Sequence, residues 1–176
     1  MTPLAGCGLV GVTDANHSEH GMMDENISAY SSNDLMFAQM MIPHHQQAIE
    51  LSSLAATRAS NSQIKELAAK IKAEQAPEIT QMQGWLEAAG QAEMGMHGME
   101  MGMLSDEEMS ALEKASGKEF DLLFLTGMIK HHQSAVQMAD SILTSSNEEV
   151  RNLAKSIVST QKLEIVLMKQ IQTTLN

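Results

Sequence analysis

Phe37, Met41, His44, Ala48, Leu51 and Ala55 recur at alternating spacings of four and three residues, and an equivalent set, Phe124, Met128, His131, Ala135, Met138 and Ile142, follows at a constant offset of 87 residues. Such spacing puts side chains on one stripe of an α-helix, so each set predicts a long helix with one continuous buried seam. One position over runs a second stripe, Ala38, Ile42, His45, Ile49 and Ala56, matched by Leu125, Ile129, His132, Val136 and Leu143. Both members of each His-His pair therefore fall inside a broad apolar face. Met41 and Met128 each precede their pair by one helical turn, which sets a thioether over both rings.

The repeat extends further. With one residue dropped in the connecting turn, a second helix in each half aligns at an offset of 86, Leu67 with Leu153. The chain thus reads as a duplicated helical hairpin. Helices are expected over about 34–58, 62–89, 118–144 and 147–175, with Ser60 to Gln63 and Ser146 to Glu149 in capping-box form at the start of the second helix of each half. Gly90 closes the first hairpin. Ser105-Asp106-Glu107-Glu108 opens a short extra helix that stops near Gly117. Short turns make antiparallel neighbours, so the expected fold is all-α, a ferritin-like four-helix bundle with a short additional helix between its halves. In this division 1–32 is a flexible tether and 33–176 the bundle: first hairpin 33–89, methionine-rich loop and short helix 90–117, second hairpin 118–176.

The second helix of each half carries a matching anomaly. The seam Ile64, Leu67, Ile71, Gln75, Glu78, Met82, Trp85 holds an amide and a carboxylate where apolar residues belong, and Val150, Leu153, Ile157, Gln161, Glu164, Met168, Ile171 repeats it. Buried carboxylates are costly unless paired or bound to a metal, so Glu78 and Glu164 are expected to face the histidine pairs. Gln75, Glu78, Met82, Gln161, Glu164 and Met168 would then surround and orient the imidazoles.

Composition sharpens this. Of 176 residues 43% are hydrophobic but only 3% aromatic, and 16 are methionine, which is far above ordinary usage. Several methionines lie outside any helix. Met94, Met96, Met99, Met101 and Met103 alternate with Gly, His97 and Glu100 in a stretch too rich in glycine for a stable helix. The N-terminal segment repeats the theme with His17, His20, Met22 and Met23. Exposed thioethers contribute little to a core, yet they are soft ligands that select Cu(I), and imidazole accepts both copper oxidation states. The formal charge of −11 disfavours nucleic acid and attracts small cations.

The one cysteine, Cys7, has no partner for an internal disulfide. Leu4-Ala5-Gly6-Cys7 has the form of a bacterial lipobox, and a lipid anchor at Cys7 is the only membrane attachment the chain suggests. Three residues precede it, without the charged and apolar parts of a leader, so the motif is either a lipoprotein signal or a chance match of four residues.

The duplicated Phe-x-x-x-Met-Ile-x-His-His-x-x-Ala pattern, followed in each half by Gln-x-x-Glu-Ile-x-x-Met, resembles the bacterial domain-of-unknown-function family 305 over about residues 33 to 175. That family includes CopM-like secreted copper-binding proteins. The resemblance implies an extracytoplasmic protein, periplasmic or at the cell surface, that binds copper or silver: Cu(I) first, with Cu(II) or Ag(I) as alternatives. Met41, His44, His45, Met128, His131 and His132 are the matching positions, and a copper-donor or copper-acceptor protein is the implied partner. Pro43 stands where the second half has Lys130; a proline there frees the carbonyl of Gln39, so the two halves need not be equivalent.

Other readings remain open at this stage. A ferritin-like metalloenzyme would need Glu-x-x-His motifs on two helices, and the chain has none. A haem-binding bundle could use His and Met axial ligands, although Cys-x-x-Cys-His is missing. A structural bundle could satisfy four histidines with two Glu and two Gln. No His-Glu-x-x-His, phosphate-cradling glycine loop or nucleophile setting supports a hydrolytic or transfer enzyme, so no enzymatic activity is expected.

Overall fold

The computed structural model describes residues 29–93 and 102–175. Cys7, His17, His20, Met22, Met23, Met94, Met96, His97, Met99 and Met101 lie outside the described residues. The described chain forms five helices, α1 (Ser32–Arg58), α2 (Ser62–Ala88), α3 (Asp106–Lys114), α4 (Gly117–Ser141) and α5 (Glu148–Leu175). α1 packs along α2 and α4 along α5 as antiparallel hairpins; the hairpins meet through α1 and α4, whereas α2 and α5 touch only sparsely. The result is a four-helix bundle with α3 as the short additional helix. None of the described helices is long and apolar enough to cross a membrane.

The helix starts show how local chemistry sets boundaries. Ser31 and Asp34 form a capping box on α1, and Ser105 with Glu108 does the same on α3. The boxes expected from Ser60 and Ser146 do not form. Asn61 instead caps α2, accepting from the amides of Gln63 at 2.8 Å and Ile64 at 3.4 Å, and Asn147 accepts from Glu149 and Val150. Ser60 is diverted to α4: the Asp121 carboxylate, fully buried, accepts from the Ser60 amide at 3.1 Å, the Asn61 amide at 3.0 Å and the Ser60 hydroxyl. One carboxylate thereby ties the turn of the first hairpin to the second hairpin. α4 also ends at Ser141, earlier than periodicity suggests.

Tyr30, which the composition places in the tether, stacks on Trp85 with ring centroids 5.7 Å apart and donates its hydroxyl to Glu149. The end of the methionine-rich loop is docked as well. The Gln47 side chain grips the backbone of Leu104 twice, at 2.9 Å each, donating to its carbonyl and accepting from its amide. Leu104 itself is buried in the core against Gly127.

The apolar core is two clusters rather than one. One joins Leu35 to Ile42 with Ile79 to Leu86, Ala135 to Ile142 and Val150 to Ile157; the other joins Ala48 to Ala59 with Ile64 to Ile71, Phe120 to Met128, Met168 and Ile171. Between them lies a polar layer. Methionine, leucine and isoleucine fill both clusters, as a chain poor in aromatic residues requires.

Candidate metal centre

The polar layer is built where the two seams carry histidine on α1 and α4 and Gln or Glu on α2 and α5. His44, His45, His131 and His132 are at most 2% exposed. Helix periodicity puts both rings of each pair on the inward face, and the packing of the helices sends one toward the opposite hairpin and the other toward the partner helix of its own hairpin.

Across the hairpins, the His44 and His131 imidazoles stack with centroids 3.6 Å apart and planes 34° apart. Within the hairpins, His45 Nε2 lies 2.8 Å from Glu78 Oε2, and His132 Nε2 lies 2.9 Å from Glu164 Oε2. The sequence anomaly in the second helices is therefore resolved: each seam glutamate holds one imidazole. With Nε2–H donating to the carboxylate, the lone pair of each outer histidine rests on Nδ1. Neither His45 Nδ1 nor His132 Nδ1 has a hydrogen-bond partner, and the same holds for both ring nitrogens of His44 and of His131.

Gln75 and Gln161 are buried at 3% exposure, but their amide oxygens have no partner. Orientation of the imidazoles thus falls to the glutamates rather than to the glutamine oxygens. Met41 and Met128 are completely buried in the apolar clusters flanking the layer, as are Met82 and Met168. Met103 is half-buried rather than exposed, because Gln47 holds its neighbour Leu104 down, and its carbonyl faces the Lys130 ammonium at 3.5 Å. Pro43 leaves the rings unaffected: His44 to His45 and His131 to His132 are 6.4 and 6.3 Å between centroids, both tilted by 51°. Helix α1 runs on through it.

Electrostatics make the layer receptive to a cation. Burial, reinforced by the neighbouring histidines, holds His44 and His131 well below the ordinary imidazole range and brings His45 to about 3. These three rings are neutral at pH 7, the form that binds metal. Burial, and then the Glu164 charge, pushes Glu78 up to about 7. Glu164 goes the other way: burial would raise it, but His132, Glu74 and Lys70 together outweigh burial and lower it. Sequence reasoning missed Lys70 and Glu74, which lie off the apolar seam and carry no pattern signal.

Among the described residues, no three His, Cys, Asp or Glu side chains already converge as a ready-made metal cage. The side chains that could serve as donors are four buried imidazoles, with the Met41, Met82, Met128 and Met168 thioethers buried in the flanking clusters, ligand types that suit copper better than a carboxylate-rich cage would.

The class defined by this architecture is an antiparallel four-helix bundle, duplicated from one hairpin, with a buried imidazole–carboxylate layer across its middle. The chain belongs to the DUF305 family, the domain of unknown function whose model matches residues 34–172. Two solved DUF305 structures share the fold: one from Streptomyces coelicolor is 30% identical with TM-score 0.77, covering 82% of this chain and 94% of that one. The other, from Deinococcus radiodurans, is 32% identical with TM-score 0.77 over 82% and 98% of the two chains. CopM in its Cu(I)-bound form is also similar, at 33% identity and TM-score 0.70, covering 80% of this chain and 96% of that one. CopM structures exist with Cu(II) and with Ag bound as well. No curated protein sequence matches this chain.

Proposed function

We propose that this protein is an extracytoplasmic Cu(I)-binding protein, able to take Ag(I) in the same sites, that sequesters copper or passes it to an acceptor protein without turnover. The observation that carries the reading is the stacked His44–His131 pair, whose four ring nitrogens are buried without a hydrogen-bond partner. An unsatisfied buried polar atom costs about 1–3 kcal/mol, so a layer that served only to fix bundle register would be expected to satisfy its own histidines. Nitrogens left over are what a metal site leaves for its metal. The CopM structures with Cu(I), Cu(II) and Ag support the choice of metal, and the Streptomyces relative is named as a secreted protein. The bundle ligands in this reading are His44, His45, His131 and His132, with Met41 and Met128. The methionine-rich loop and the N-terminal His and Met residues would capture the ion, and Cys7 would supply a membrane anchor.

The test is anaerobic Cu(I) titration of the full chain against a competing chelator, beside a variant with all four histidines changed to alanine and another with the loop methionines changed to leucine. Tight binding lost in the histidine variant supports the bundle site. Binding retained there and lost in the loop variant moves the site to the loop, and no binding by the wild type removes the copper reading.

A further inference from the structure

Duplication lets each residue around the histidine layer be compared with its counterpart, and two pairs depart from the pattern in charge. Offset by 86 residues, Glu78 corresponds to Glu164, Glu74 to Thr160 and Lys70 to Ser156. The Lys70 ammonium lies 3.4 Å from Glu164 Oε1 and 3.5 Å from Glu74 Oε1. Glu164 therefore has three partners, Lys70, His132 and, through a hydrogen bond, Glu74, while Glu78 has His45 alone among the described residues.

Where the counterpart of Lys70 would reach Glu78, Ser156 is too short. The space is an open cleft of about 450 Å³ between α2 and α5, lined by Glu74, Glu78, Ser156 and Thr160 among others. The sparse α2–α5 contact leaves this side of the bundle accessible. Around one carboxylate, then, the fold seats a positive group; around its twin it leaves an acidic opening that ends on the partner of His45.

We propose that Lys70 makes the two halves of the histidine layer unequal: its ammonium occupies the cation position beside Glu164 and His132, whereas Ser156 leaves the equivalent position beside Glu78 and His45 free for an incoming metal cation. This rests on the metal-binding reading above and adds an order of loading to it. A soft cation arriving through the cleft is drawn toward the Glu78 carboxylate and meets His45 once the Nε2–H bond to Glu78 opens and the ring turns its unpartnered Nδ1 toward the cleft. On the other half the same approach faces a resident positive charge.

The experiment uses the full chain with its histidine rings isotopically labelled and Ag(I) as a diamagnetic probe added below one equivalent. In the wild type, His45 resonances should respond first, by about fivefold over His132, the scale set by one half-exposed charge. Lys70→Ser should erase the difference and Ser156→Lys should remove or reverse it, while Lys70→Arg keeps it. Both replaced side chains are solvent-exposed, so the variants should fold. Equal response of His45 and His132 in the wild type, or an order indifferent to all three substitutions, overturns the proposal while leaving metal binding intact. A wild type that takes up no Ag(I) would remove the metal reading and this inference together.

Discussion

His44 and His131 stack across the two hairpins with ring centroids 3.6 Å apart, and neither ring has a hydrogen bond for either nitrogen. Apolar replacements of similar bulk remove that penalty. We expect a His44→Leu, His131→Leu double variant to be more stable than the wild type in metal-free urea unfolding, by about 1–3 kcal/mol, while Cu(I) binding in the bundle falls. A clear loss of stability would mean the pair is satisfied in solution and serves packing.

Acid should weaken the metal-free fold. His45 falls from 6.5 in the unfolded chain to about 3 in the folded one, and His44 and His131 shift in the same direction. As pH drops below 6.5 the unfolded chain binds protons that the folded layer refuses, so each of these histidines removes stability as the pH falls. Glu78 opposes this. Raised from 4.5 to about 7, its folded form holds a proton sooner than the unfolded chain, which adds stability as pH falls from 7 to 4.5 and nothing further below. Glu74, also raised by burial, acts in the same direction as Glu78, but three buried histidines outweigh the two carboxylates, and below pH 4.5 the lowered Glu164 joins the losing side. Urea titrations from pH 7 to 4 should therefore give a declining, then steeper, curve; a flat profile would contradict the buried, neutral state of the rings.

Asp121 accepts three hydrogen bonds from the α1–α2 turn while fully buried on α4. Asp121→Ala leaves those donors without it and should cost about 2–3 kcal/mol, read from the denaturation midpoint. Cu(I) stoichiometry should be unchanged, because the histidine layer lies several turns away along the helix. A loss below about 0.5 kcal/mol would show that water replaces the carboxylate at no cost.

Gly102 adopts φ +74°, and a Cβ there would meet the Ser134 Cβ at 2.1 Å. Gly102→Ala should therefore lift the loop end from the α1–α4 face and lower stability by about 1–3 kcal/mol. Hydrogen exchange at the Leu104 amide, held by Gln47, should accelerate. Unchanged exchange would mean that the loop end is held from elsewhere.

A Met101→Leu, Met103→Leu double change keeps bulk and removes two thioethers. Weaker Cu(I) binding in chelator competition is expected, and unchanged affinity and stoichiometry would confine capture to the bundle.

Much of this architecture is determined by periodicity. The alternating four-three seams, repeated at 87 and 86 residues, dictate helices, hairpins and the inward aim of all four histidines, because the side-chain direction on a helix depends only on residue number. The seam glutamates were legible for the same reason, as carboxylates where burial forbids an unpaired one. The tertiary structure decided what the spacing cannot encode: which ring stacks on its twin and which bonds a glutamate, that Asn61 and Asn147 cap where Ser60 and Ser146 were expected, and that Lys70 rather than Pro43 separates the two halves. Lys70 sits on an exposed flank where one-dimensional pattern is silent, and only the packing of α2 beside α5 brings its charge to Glu164. Local periodicity fixes the direction of a side chain; distance through space, which sets electrostatics and hydrogen bonding, exists only once the helices have packed.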